Sequence, residues 1–390
     1  MRVCMLAYAF YDTDTRIKRY AETLVQNGVE VDAISLGRDG QTSRGVEKGV
    51  NIYRIQKRIK NEKSKISYFS RTLRFLIMSS MFLTKKHLEK RYDIVHVHNI
   101  PDYEVFAAWF PKLTGAKIIL DIHDILPEFY VNKYKIDKDS LTYKFLLFIE
   151  IKSCGFSDHV IIANHLWHKT ITARSIPQNK CTTIMNYPDL DFICHNRSNE
   201  NRENDKFIIV YPGSLNYHQG LDIAVRAVNM LQKNTPKVEL HIYGEGPAKE
   251  SLISLVKELS LEKQVFIKDH MSNDEIINIM KHADLGIVPK RADSFGNEAF
   301  STKILEFMAL GVPVVVSATK IDQYYFNKSL VKFFKPGDDK DLSEAIIDIM
   351  KDKDLRMRLT YNSKNYVENN NWEIKKKIYL DLIAELTFPH

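Results

Sequence analysis

The stretch Asn297-Glu298-Ala299-Phe300-Ser301-Thr302-Lys303-Ile304-Leu305-Glu306-Phe307-Met308-Ala309-Leu310-Gly311-Val312-Pro313-Val314-Val315-Val316 decides the fold. A loop (291–297) leads into residues with helical spacing, which stop at Gly311, the residue type that commonly follows a helix end in left-handed backbone. A Val-rich run without alternation follows, as expected for a strand buried on both faces. Helix and strand in immediate succession belong to a βαβ unit of a parallel sheet. Glu298 and Glu306 are eight apart, about 800° around a helix, or 80° off a shared face. With a helix starting near Glu298, the two carboxylates project from different levels of its first turns. One can hydrogen-bond a sugar while the other reaches further along the same ligand. The N–H groups of Phe300, Ser301 and Thr302 would point at an anion, and Lys303 adds a cation there. The plain alternative is an ordinary solvated helix face.

Outward from this stretch the pattern repeats. Apolar runs at 3–8, 29–36, 94–98, 117–122, 159–163 and 182–185 alternate with helical patterns in the first half. Residues 189–206 are polar and Asn-rich and read as a linker. Strands are expected at 207–211, 238–243, 265–268, 285–289 and 312–316. Helices are expected to start near Gly220, Pro247, Asn273, Glu298 and Lys340, with a last one over 372–386. The predicted organisation is an α/β protein of two Rossmann-like domains, 1–190 and 207–371. Residues 191–206 join them and a C-terminal helix, 372–390, crosses back to the first domain. Ligands of such sheets bind beyond the carboxyl ends of the strands, here in the interdomain cleft.

Composition sets the outer limits. The chain has 390 residues, 44% hydrophobic and 27% charged, with net charge +7, values of a globular protein. Four cysteines without a C-x-x-C pair speak against a disulfide framework or a thiolate zinc site and for a reducing compartment. The start reads as a first strand, not a signal peptide, and the longest apolar run, 75–83, is far short of the about 20 residues of a membrane span. Residues 54–91 hold twelve basic side chains against Glu62 and Glu89, a local charge of +10 exceeding that of the whole chain. Among them lie Tyr68, Phe69, Leu73, Phe75, Leu76, Ile77, Met78, Met81, Phe82 and Leu83. Basic residues flanking such a run suit an anionic membrane surface; a buried helix with a solvated basic rim is the alternative. Nucleic acid is disfavoured, for no RNP, zinc-finger or helix-turn-helix signature occurs.

The loop, the E-x7-E pair and the Gly-x-Pro-Val-Val ending resemble the signature of family 4 glycosyltransferases. Other pieces fall in the family's order: Asp14-Thr15-Arg16 with Gly28, Asp93-Ile94-Val95-His96-Val97-His98, Asp121-Ile122-His123-Asp124-Ile125-Leu126-Pro127-Glu128, Asn186, Tyr211-Pro212-Gly213-Ser214-Leu215, His218-Gln219-Gly220 and Gly244-Glu245-Gly246-Pro247. The resemblance implies the GT-B fold and retaining transfer from a nucleotide-diphosphate sugar, a UDP-sugar above all, with no cofactor and no metal. It implies that Glu306 binds the ribose, that Glu298 contacts the donor sugar and that His123 approaches that sugar from the N-terminal domain. Gly213 would admit the diphosphate, and Tyr243, Gly244 and His270 would flank the base.

Two departures bear on the diphosphate. Many members have Arg and Lys where this chain has Ser214 and Gln219, so compensating charge is expected from Lys303, Lys290 and Arg291. Asn164 stands where the family often has Ser. The acceptor is expected around Tyr11–Arg16 and Ile100–Glu104, with Tyr11, Asp14, Arg16 and Asp102 as contacts; Tyr8 and Tyr130 are packing or acceptor residues. His96 and His98 are read as structural, since two histidines without a third ligand make a poor metal site. Asp12-x-Asp14 and Asp189-x-Asp191 are read as chance. The expected role is a glycosyltransferase on the inner face of the cell membrane, acting on a lipid-linked surface-glycan intermediate. A nucleotide-sugar epimerase of the same fold and a silent membrane scaffold are the alternatives.

Overall fold

The computed structural model describes residues 1–58, 65–190, 206–232, 237–293 and 295–387. Most of the expected linker, Cys194, Asp191, and Lys60, Glu62 and Lys63 of the basic segment lie outside the described residues. The chain divides into two compact units, 1–186 with 376–390, and 187–375.

Unit 1 is built on an eight-stranded sheet of order β3-β4-β2-β1-β5-β6-β7-β8. Its elements run β1 (Arg2–Phe10), α1 (Thr15–Gln26), β2 (Glu30–Gly37), β3 (Arg44–Glu47), β4 (Val50–Lys57), α2 (Lys65–Glu89), β5 (Ile94–His98), α3 (Trp109–Leu113), β6 (Lys117–Ile122), α4 (Leu126–Tyr134), α5 (Leu141–Phe156), β7 (His159–Ile162), α6 (His165–Arg174) and β8 (Cys181–Thr183). All pairings are parallel except the β3–β4 hairpin. β5 and β7 are buried along their whole length, as strands with both faces covered must be. Asp14 caps α1 by accepting from the N–H groups of Arg16 and Ile17. Asn164 caps α6 by accepting from Trp167 N–H at 2.9 Å, a task that Ser performs equally well.

Unit 2 carries a six-stranded parallel sheet of order β11-β10-β9-β12-β13-β14. Its elements are β9 (Phe207–Pro212), α7 (Leu221–Leu231), β10 (Val238–Tyr243), α8 (Lys249–Glu258), β11 (Val265–Lys268), α9 (Asn273–Lys281), β12 (Leu285–Val288), α10 (Thr302–Leu310), β13 (Val314–Ser317), α11 (Lys320–Tyr325), β14 (Lys332–Phe334), α12 (Asp339–Lys351), α13 (Lys353–Asn369) and α14 (Trp372–Thr387). From Lys376 on, α14 belongs to unit 1. There the Tyr379 ring sits 4.3 Å from that of Tyr20, and its hydroxyl lies 3.0 Å from His96 Nδ1.

One boundary differs from the reading above. The helix begins at Thr302, with Ser301 at the N-cap position but making no side-chain cap bond, and Glu298 lies in a preceding turn. Asp293 Oδ1 accepts from the N–H groups of Phe295 and Gly296, and Glu298 N–H donates to Phe295 carbonyl. The chain then extends at Ser301 (φ −98°, ψ 110°). Glu298 and Glu306 therefore do not share a helix, and the 80° relation does not hold.

Candidate functional site

In unit 2 the carboxyl ends of β9, β10 and β11 are tied by backbone bonds: Gly213 N–H donates to Tyr243 carbonyl and Gly244 N–H to Lys268 carbonyl. Both glycines have left-handed φ, +138° and +152°. A Cβ on Gly244 would stand 1.8 Å from Gly213 carbonyl oxygen, and one on Gly213 would stand 2.2 Å from Lys303 Cε. Only glycine allows this approach. Lys303, in the first turn of α10, holds its ammonium 5.4 Å from the centre of the Tyr211 ring. Burial pushes its pKa down, against a smaller opposing pull from Glu306. Lys303 has no ion-pair partner among the described residues. A half-buried ammonium without a counter-ion beside the N-terminus of α10 is a prepared anion site.

The other expected phosphate ligands are otherwise engaged. Lys290 is 2% exposed; its Nζ donates to Ala299 carbonyl at 2.6 Å and pairs with Asp322 at 2.9 Å. It is a structural strut behind the 291–301 loop, and the expectation that it meets a ligand is corrected accordingly. Arg291 pairs with Asp222 and stacks 4.2 Å over Tyr217. Gln219 Nε2 lies 3.1 Å from His218 Nε2, and Ser214 is exposed, its carbonyl accepting from Tyr211 hydroxyl. Phe300 packs on Tyr325 and Phe326, so its side chain serves the core. Thr302 and Glu306 are half-buried on α10 and His270 is exposed. Tyr243 is buried under the Lys268 ammonium, 5.3 Å above its ring. Glu298 pairs with Lys320 at 2.7 Å.

In unit 1 a polar cluster lies at the carboxyl end of the sheet. Asp121, fully buried, receives Arg16 on both oxygens, at 2.8 and 2.7 Å. His123 Nε2 donates to Asp121 Oδ2 at 3.1 Å, and Arg16 also donates to Asn186 Oδ1 at 2.8 Å. Burial works to raise the Asp121 pKa, but Arg16 and His123 outweigh it and hold the carboxyl well below the usual range. His123 is part-exposed, its backbone N–H fixed by Asn99 Oδ1. His96, His98 and Asp121 can offer three ligand atoms within 4.8 Å of one another, so the sheet does supply the third partner. Arg16 claims both carboxylate oxygens, however, and a metal ion there would face the guanidinium charge. Burial keeps both histidines below their ordinary pKa.

Of the four expected acceptor contacts, Tyr11, Arg16 and Asp102 are buried. Asp102 accepts from Asn99, and burial pushes its pKa up to about 7. Asp14 alone of the four lines a cavity of about 1600 Å³ within unit 1, together with His123 and a wall of aromatic side chains. That wall is assembled from β1, α2, the 102–108 segment, α4 and α5, so the sequence shows Tyr8, Tyr68, Phe69, Leu73, Leu76 and Tyr130 singly but not their convergence.

Similarity to known proteins agrees with this geometry. Residues 194–366 match the family described as "Glycosyl transferases group 1", and residues 13–186 the "Glycosyl transferase 4-like domain". An uncharacterized glycosyltransferase of Methanocaldococcus jannaschii is 25% identical over 327 residues, covering 77% of this chain and 75% of that one. The O-antigen biosynthesis glycosyltransferase WclY of Escherichia coli is 27% identical over 260 residues, covering 64% and 67%. Among solved structures, sucrose-phosphate synthase of Thermosynechococcus elongatus superposes with TM-score 0.79 at 18% identity, covering 98% and 100%. Anabaena HepE in complex with UDP-glucose gives 0.72 at 14%, covering 98% and 100%. Fold and matched domains together define a glycosyltransferase of the GT-B fold. The chain belongs to the group 1 type, with a 4-like N-terminal domain.

Proposed function

We propose that the protein is a retaining glycosyltransferase that moves a sugar from a UDP-sugar to a hydroxyl of a lipid-linked glycan during surface-polysaccharide synthesis. The observation that carries this reading is the diglycine approach at Gly213 and Gly244 beneath the unpaired charge of Lys303. UDP complexes of structural neighbours and relatives named for O-antigen and capsular polysaccharide synthesis support donor and pathway class. Glu306 holds the ribose hydroxyls and Glu298 the donor sugar. His123, oriented by Asp121, is offered to sugar hydroxyls. Gly213 and Gly244 admit the diphosphate, and the base lies by Tyr243 and His270.

Lys303 and the N–H groups at the start of α10 stabilise the leaving diphosphate. The acceptor oxygen bonds to the anomeric carbon on the face from which the phosphate departs. The leaving phosphate oxygen takes the acceptor's proton, and the protein supplies positioning and electrostatics.

Residues 54–91 hold the enzyme to the cytoplasmic face of the membrane. Among the described residues no helix is long and apolar enough to cross a membrane. α2 buries Thr72, Phe75, Ser79, Leu83 and His87 yet exposes Phe69, Leu73, Ile77 and Met81 along its other side, with Arg74 and Lys85 beside them. A helix serving the core alone would not need that second apolar stripe. Product analysis by NMR after incubation with UDP-sugars and a lipid-phosphate-linked sugar tests the proposal.

A further inference from the structure

Glu298 lies in the 295–298 turn rather than in α10, so its place is set by whatever that turn is tied to. The ties converge on the start of α11. β12 and β13 are neighbouring parallel strands, and each delivers a buried polar residue just past its carboxyl end, Lys290 from β12 and Thr319 from β13. Thr319 caps α11: its hydroxyl accepts from Asp322 N–H and donates to Asp322 Oδ2 at 2.5 Å. The same carboxylate oxygen pairs with Lys290 Nζ at 2.9 Å, and Lys290 donates to Ala299 carbonyl at 2.6 Å.

The next residues of α11 reach the turn itself. Lys320 N–H donates to Asn297 Oδ1 at 2.8 Å, and Ile321 N–H donates to Asn297 carbonyl at 3.0 Å. Lys320 Nζ donates to Glu298 Oε1 at 2.7 Å. The residues on both sides of Glu298 are thus tied to one helical turn, and its carboxylate is tied there as well.

These contacts serve different ends. The bonds to Asn297 and Ala299 satisfy backbone groups and hold the chain in its path. The Lys320–Glu298 pair is part-exposed, 58% and 24% for the two side chains, and exposed ion pairs add little to folding stability. Its effect is to restrict a flexible carboxylate to one orientation before a ligand arrives, which removes an ordering cost from binding and reaction.

We infer that the first turn of α11, Thr319–Asp322, aims Glu298 at the donor sugar, with Lys320 as the positioning residue. The inference rests on the proposed contact between Glu298 and the donor sugar, and it adds a residue outside the E-x7-E stretch to that site.

A double-mutant cycle on the full chain tests it. Initial UDP release is measured with a lipid-phosphate-linked sugar and whichever of UDP-glucose, UDP-galactose and UDP-N-acetylglucosamine the wild type turns over. Calorimetry with UDP alone and thermal unfolding accompany it. Lys320→Met is expected to lower kcat about 10-fold, less than the roughly 10²-fold that a misplacement of about 1 Å can cost, because Asn297 still ties the backbone. UDP affinity and unfolding temperature are expected to hold, since UDP lacks the sugar and the pair is part-exposed. Lys320→Arg keeps a cation that can pair with the carboxylate and is expected to restore most of the rate. In a Glu298→Gln background Lys320→Met is expected to cost no more than about twofold, the carboxylate it orients being gone. Wild-type kcat in Lys320→Met, an equal fall in kcat and UDP affinity, or a loss that persists undiminished beside Glu298→Gln would overturn the inference. The two levels separate cleanly. An undiminished rate in Glu298→Gln refutes the donor-sugar role of Glu298, whereas a slow Glu298→Gln beside a wild-type Lys320→Met refutes the positioning role alone.

Discussion

Lys303→Met is the perturbation whose outcome follows most directly from the geometry. The ammonium stands beside Gly213 and over Tyr211, with no carboxylate partner among the described residues. A unit charge about 4 Å from a developing anion is worth about 4 kcal/mol at an effective dielectric constant near 20. Removing one preorganised transition-state donor elsewhere costs about 2.7–4 kcal/mol, or 10²–10³ in kcat. The expected fall in kcat is thus about 10²-fold or more, with a smaller change in UDP affinity. Because burial lowers the Lys303 pKa, the wild-type rate should decline as pH rises, beginning below the ordinary lysine range. Met has no proton to lose, so this alkaline limb should vanish in the variant. Stability should hold or rise, since a desolvated ammonium is replaced by an apolar chain of similar length. Gln219→Lys in the same background should restore part of the rate. The assay is initial UDP release against pH for wild type, single and double variants. Near-wild-type kcat in Lys303→Met, or an unchanged alkaline limb, would refute the assignment.

Other outcomes follow. Glu306→Gln should weaken UDP binding by calorimetry about 10- to 150-fold, the loss of charge-assisted hydrogen bonds worth about 1.5–3 kcal/mol. Glu298→Gln should lower turnover more than UDP affinity, and equal losses in both variants would remove the proposed division of roles. Asp121→Asn should destabilise the fold by about 3–5 kcal/mol in denaturant titration, because it leaves Arg16 buried without its counter-charge. The native Asp121 pKa is depressed, so its contribution is present above the ordinary carboxylate pKa. It is lost only as pH falls through the lower folded value; stability already gone at pH 5 would contradict this. Replacing Arg71, Arg74 and Lys85 with Gln should weaken co-sedimentation with anionic liposomes by about 1 kcal/mol per residue, in a salt-dependent way. Unchanged binding would leave α2 as a helix serving the core alone.

What could be read without coordinates was whatever is local. Runs such as 3–8 and 117–122 fall in strands as expected, because a parallel strand covered on both faces is apolar in one block. The β3–β4 hairpin escaped notice because β3 is four residues long and half-exposed, with Gly45 inside it. The start of α10 was misplaced for a different reason. Residues 295–298 form a turn whose hydrogen bonds come from Asp293, and nothing in helical spacing separates such a turn from a first helical turn. Tertiary pairing was least legible. Arg16 and Asp121 are 105 positions apart, and Lys290, which follows β12, pairs with Asp322 of α11. These contacts convert two residues chosen for ligands, Arg16 and Lys290, into buried struts. The aromatic wall was hidden for the same reason, since its residues share no motif.

Transfer with retention from a UDP-sugar at the Gly213–Lys303 site, proposed above, is decided by the anomeric configuration of the first product. Proton NMR of the glycoside formed from an α-linked UDP-sugar and a lipid-phosphate-linked sugar should show an axial new bond, one UDP released per bond formed, and product formation slowed about 10²-fold or more by Lys303→Met. An equatorial bond, or transfer at an undiminished rate in that variant, would contradict it.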